Sequence, residues 1–176
     1  MARMRIGLQM AIVFSVTVLG FVLLQHGIRV FETWASVSLT RLLAPHRATV
    51  VGGTSIIISP PHRPAFRAIV TPACSSAASV FSIVALATLI RGVSRGRRTL
   101  ALATAVLVVM VGNVVRIGGS VLIGLLAGRA SLVLFHDWVG GLFSFTSTLG
   151  GFIVMLYLIL PDRRREASRS VKVSVG

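Results

Sequence analysis

The sequence predicts an all-α integral membrane helix bundle of about four transmembrane helices, with a small extracytoplasmic loop of short β and amphipathic elements. Three observations predict it. Of the 176 residues, 55% are hydrophobic and 12% charged, and the mean hydropathy is +0.90, so no folding of the chain can show water a mainly polar surface. Four apolar stretches, about 6–24, 73–90, 99–117 and 138–160, each come near the ~20 residues that carry a helix across ~30 Å of hydrocarbon. The basic residues behind the net charge of +14 gather at the ends of these stretches, without the interleaved aromatics of a nucleic-acid surface.

The charge clusters set the topology. Arg3 and Arg5 precede the first stretch, Arg91, Arg95, Arg97 and Arg98 separate the second from the third, and Arg163, Arg164, Arg165, Arg169 and Lys172 follow the fourth. Four spans put all three clusters in the cytoplasm together with both termini. Residues 25–71 then form the outer loop, where five arginines are spread thinly over a longer segment. The chain is expected to be one membrane domain, 1–162, with a basic cytoplasmic tail at 163–176. The first span follows a basic start as a secretory leader does, but its apolar run is long and no A-x-A site closes it, so it reads as uncleaved.

Within the outer loop, FETWASVSLTRLLA sets Phe31, Trp34, Val37, Leu42 and Leu43 along one side of an amphipathic helix, Phe31 to Ala44. ATVVGGTSIIIS carries two β-branched runs around Gly52 and Gly53, the pattern of a short hairpin. PPHRP ends that element, and FRAIV leads toward Thr71 as a third extended piece. The third apolar stretch continues from Thr99 to Gly128, interrupted only by Asn113 and Arg116, which is ~45 Å of helix. It either protrudes or tilts, or it breaks at Gly118 and Gly119.

Three residues could carry chemistry. Cys74 is the only cysteine, so it has no intramolecular disulfide partner. Thr71 and Pro72 ahead of it read as N-cap and first helical residue, which puts Cys74 in a first turn where free amides and the macrodipole favour a thiolate. The bland alternative is a small buried apolar residue. Arg116 lies ~27 Å along a helix from Arg98 and Cys74 ~25 Å from Arg91, so their depths agree. An arginine in such a run faces the bundle interior or water, or snorkels to head groups; Asn113, one turn below, can brace it. His136, in LFHDWVGG, lies ~40 Å from Arg163 and so matches less closely, at the boundary or on a bent segment. Thiol, guanidinium and imidazole together supply a nucleophile, a charge stabiliser and a general base, the parts of acyl transfer. Neither a metal nor an organic cofactor is implied: Asp and Glu number only 4, and no H-x-x-x-H or C-x-x-C spacing occurs.

At these residues the sequence resembles the exosortase/archaeosortase family, integral membrane cysteine transpeptidases with a Cys at the start of one helix, an N-x-x-R element in the next and a His shortly after. The matching segments are ACSS (Ala73 to Ser76), NVVRI (Asn113 to Ile117) and FHDWVGG (Phe135 to Gly141), and the resemblance covers roughly residues 48–160. It implies that Cys74 attacks a backbone carbonyl near the C-terminal anchor of a secreted or surface protein carrying a sorting signal. Arg116 would stabilise the oxyanion and His136 would move protons, on the outer side of the cytoplasmic membrane. Two departures stand out: Ser76 where the family usually has Gly after Cys-Ser, and a chain with fewer spans than many members. The alternative is a non-catalytic membrane scaffold or assembly subunit, in which Arg116 serves helix packing. A channel or transporter fits less well, since no ladder of polar residues lines a path.

Overall fold

The computed structural model describes residues 2–90 and 92–160, with side chains from Gly7 onward. Arg91, the side chains of Arg3 and Arg5, and the basic tail 163–176 lie outside the described residues. The elements in chain order are α1 (Ala2–Leu43), β1 (Ala48–Val51), β2 (Ser55–Ile58), β3 (Phe66–Ile69), a 3-10 turn (Pro72–Cys74), α2 (Ala77–Leu89), α3 (Arg95–Ala127), α4 (Arg129–Leu134), a π-helical turn (Phe135–Val139) and α5 (Gly140–Ile159). The fold is a helical membrane bundle with a small three-stranded sheet at one end.

Among the described residues three helical runs are long and apolar enough to cross a membrane: Gly7–Leu43, Arg95–Ala127 and Arg129–Ile159. The expected span at 73–90 is instead the 13-residue helix α2 behind a separate turn, ~20 Å long. Pro72 and the extended backbone of Ser75 (ψ 150°) keep residues 71–75 out of that helix.

The amphipathic helix expected at Phe31–Ala44 is the second half of α1, and its faces are the reverse of those of a helix in water. Phe31, Trp34, Leu42 and Leu43 are exposed, whereas Glu32, Thr33, Ser36, Val37 and Thr40 are buried. Lipid tails are as apolar as the aromatic face, so burial selects the polar stripe, whose hydrogen bonds are made inside the protein. Ser36 Oγ donates to the Val114 carbonyl at 3.1 Å, and Thr40 Oγ1 to the Ser36 carbonyl at 2.9 Å.

Helix α3 does not break at Gly118 and Gly119. It runs unbroken for 33 residues and ends where Gly128 takes φ +89°. Gly118 lies against α1, where a Cβ would stand 3.4 Å from the Ser36 carbonyl oxygen, an ordinary contact distance.

The sheet is antiparallel in the order β1-β2-β3, and Gly52 (φ +62°) and Gly53 (φ +80°) turn the hairpin as expected. Beneath it, Ile56, Ile58 and Val70 pack with Val37 of α1 and Ile117, Val121 and Leu125 of α3. A second core, at the far end, joins Val80, Ile83 and Ala87 of α2 to Ala101, Ala105 and Val109 of α3 and to Met155 and Ile159 of α5. At that far end Arg98 donates to the Ile90 carbonyl at 2.6 Å and Arg97 to the Leu160 carbonyl at 2.7 Å, so two arginines of the basic cluster also satisfy carbonyls where α2 and α5 end. Along the buried stripe of α3, Asn113 falls between Val109 of one core and Ile117 of the other. That boundary is where the chemistry gathers.

Candidate active site

Cys74 closes the 3-10 turn and is half-buried. Its position is fixed from two helices. Asn113 of α3 donates Nδ2–H to the Cys74 carbonyl at 3.0 Å. Glu32 of α1, fully buried, accepts from Ser75 Oγ at 2.7 Å, from the Ser76 N–H at 3.1 Å and from Ser76 Oγ. The two residues after the nucleophile candidate are thus clamped by one carboxylate, which also satisfies a free amide at the start of α2. Ser76 directs its hydroxyl at this carboxylate and is itself buried, so it takes no part in lining the cavity at the thiol.

The expectation that Cys74 sits in the first turn of the long apolar helix does not hold, because α2 begins three residues later. Thr71 is no side-chain cap; its hydroxyl lies 3.1 Å from the Cys74 sulfur. Cys74 precedes α2 and lies outside every spanning helix. Its thiol is lowered from 9.0 to about 7. The largest cause is His136 as a hydrogen-bond partner of the sulfur; burial opposes it, and the Thr71 hydroxyl and main chain lower the thiol further.

His136 rides on the π-helical turn inside the continuous run 129–159, not ahead of a span. Arg116 NH2 lies 3.3 Å from its Nε2, and Ser120 Oγ lies 3.3 Å from its Nδ1. A guanidinium only donates, so Nε2 accepts and the ring N–H is on Nδ1. That proton faces Ser120 Oγ, whose own hydrogen goes to the Arg116 carbonyl at 2.9 Å. Arg116 reaches Asn113 Oδ1 at only 3.5 Å, a long contact, and its Nε is buried without a partner. Gly140 makes room for that nitrogen: a Cβ there would stand 3.0 Å from Arg116 Nε.

A cavity of about 230 Å³ is lined by Cys74 and His136 with Ser120, Ile117 and Val121 of α3, by β3, and by α4. Arg116 does not line it; it stands behind the imidazole and joins the site through Nε2. A larger depression, about 580 Å³, lies against the outer face of α4 and the π turn around Arg129, Asp137 and Trp138, and holds none of the three predicted residues. Among the described residues no group of three or more His, Cys, Asp or Glu side chains could hold a metal ion.

Cys74, Arg116 and His136 therefore converge from three separate elements, with Asn113 linked to the backbone of Cys74. Glu32 and Ser120 escaped the sequence reading. A family model described as Transmembrane exosortase (Exosortase_EpsH) matches residues 3–158. The chain belongs to the transmembrane exosortase family. No curated protein and no solved structure matches it. Membership of the exosortases makes it a membrane-embedded processing enzyme of the sortase-like kind.

Proposed function

We propose that this exosortase is a cysteine transpeptidase that cleaves a C-terminal sorting signal of secreted proteins on the extracytoplasmic side of the cytoplasmic membrane and passes them to an acceptor. The observation that carries the reading is a thiol and an imidazole lining one cavity, with a guanidinium held on the imidazole's lone pair. The arriving substrate carbonyl draws Arg116 off Nε2 and onto the developing oxyanion. Nε2 is then free to take the thiol proton as sulfur attacks. The S–C bond forms, the peptide C–N bond breaks, and the imidazolium returns its proton to the leaving amine. An amine-bearing acceptor attacks the thioester, gives its proton to His136 and releases the thiolate; water in its place gives hydrolysis.

In this reading residues 1–162 are one membrane domain and the tail 163–176 is cytoplasmic. Support comes from Arg95, Arg97 and Arg98 at the end of α3 opposite the site. Replacing Cys74 with Ala or Ser should abolish processing of a co-expressed protein with a C-terminal signal while membrane abundance stays unchanged. Continued processing would return the protein to the scaffold reading. A membrane-impermeant maleimide should label Cys74 from outside intact cells; protection there combined with labelling in inverted vesicles would reverse the topology.

A further inference from the structure

The cavity beside Cys74 meets five consecutive residues, Phe66 to Val70. Successive side chains of a strand point to opposite faces, so a cavity in contact with all of them runs along the strand's edge, and through Ile56 of β2 it also reaches under the core face. The ladder shows which main-chain groups face that edge. Val70 N–H donates to the Thr54 carbonyl at 2.8 Å, and β3 pairs with β2 in the register Ala68 to Ile56. Antiparallel pairs alternate, so Ala68 and Phe66 also bond β2, while the N–H and C=O groups of Arg67 and Ile69 point the other way. Among the described residues no strand pairs with that edge. The opposite edge of the sheet is treated differently: Arg41 Nε donates to the Ala48 carbonyl at 3.1 Å, and α1 packs against β1.

Arg67 and Ile69 are exposed, so these two N–H and two C=O groups stand open to a partner strand. We infer that the free edge of β3 is the docking strand for the substrate polypeptide, which adds as a fourth, extended strand and runs on to Cys74. The occupant is a peptide backbone because the unpaired groups are two N–H donors and two C=O acceptors at strand spacing, which such a backbone satisfies in register. The chain itself leads from the edge to the sulfur, as Cys74 follows Val70 after one short turn. Phe66, Ile117, Val121 and Leu132 around the groove select small or apolar side chains in the docked segment. This inference rests on Cys74 being the nucleophile.

The test uses the full chain in lipid nanodiscs and its single thiol. An acetyl-Ala-Val-Ala-Ala chloromethyl ketone alkylates sulfur with loss of chloride, and its rate is divided by that of the one-residue acetyl-Ala chloromethyl ketone. Strand addition predicts a ratio of about tenfold or more, the effect of one or two added hydrogen bonds. N-methylation of the tetrapeptide reagent, one amide at a time, should cut the ratio at alternating positions only. Ile69→Pro, which removes an edge-facing N–H that bonds no strand, should bring the ratio near one. A ratio near one for the unmodified protein, or a loss of equal size at every methylated amide, would overturn the inference. The methylation series needs no variant and stands even if Ile69→Pro folds poorly. Failure of Cys74 to react with iodoacetamide at pH 7 would strike the nucleophile assignment instead, and it is read in a separate arm.

Discussion

His136→Asn is the sharpest perturbation of the site, because it removes the largest influence on the Cys74 thiol while keeping most of the side-chain volume. With the thiol at about 7, about half of it is thiolate at pH 7. If it rises toward the ordinary 9.0, only about one part in a hundred is ionised at that pH, an approximately 50-fold loss of the reactive form. Each remaining thiolate is, however, roughly 6–10-fold more nucleophilic, since intrinsic reactivity increases with basicity at a Brønsted slope of about 0.4–0.5. The net expectation is a fall of roughly 5–10-fold in the rate of iodoacetamide alkylation at pH 7. The sign follows from the direction of the shift: a lowered thiol gains reactivity as pH rises through about 7, and the variant should gain it nearer 9. The two profiles should therefore cross at about pH 8, with the variant faster above it. Because the chain has a single cysteine, mass-resolved alkylation reads this site alone. An unchanged midpoint in His136→Asn would refute the claim that the imidazole sets the thiol.

Glu32→Ala removes the acceptor of three hydrogen bonds, and with ~1–3 kcal/mol for each buried donor left unmet it should cost about 3 kcal/mol or more, read as a lowered unfolding midpoint in detergent. Glu32→Gln keeps an acceptor oxygen and should cost less. Ser120→Ala takes away the partner of Nδ1, lets the imidazole tautomer drift, and should lower turnover several-fold while KM and the unfolding midpoint stay nearly constant. Gly140→Ala sets a methyl against Arg116 Nε and should reduce turnover about tenfold or more by displacing the guanidinium from His136, an effect absent in Gly141→Ala, where the added atom meets nothing.

Much of the site was legible. Cys74, Asn113, Arg116 and His136 stand out because polar and ionisable residues in apolar runs are rare, and counting along helices brings two of them to one depth. The hairpin was legible from Gly52 and Gly53. Helix boundaries were harder, since Gly118 and Gly119 look like a break but lie inside an unbroken helix, against α1 and Phe135. The inverted face of α1 misled for a reason specific to membranes: a helix pattern shows two faces without saying which one meets protein, and outside water the polar one does. Glu32 carried a signal that went unused, as it is the only acidic residue before Asp137 in the chain. The π turn carried none, because FHDWVGG contains nothing that distinguishes five-residue from four-residue hydrogen bonding.

That turn ties the position of His136 to the length of the gene. A π turn holds one residue more than the α-helix it interrupts, and each residue advances a helix by ~100°. Losing a single codon within 137–139 would let the run from Arg129 close into uninterrupted α-helix, with α5 still packed as before and His136 swung by about a quarter-turn away from Arg116. An intact bundle with His136 turned away from Arg116 is thus one deletion away, and one insertion restores the register.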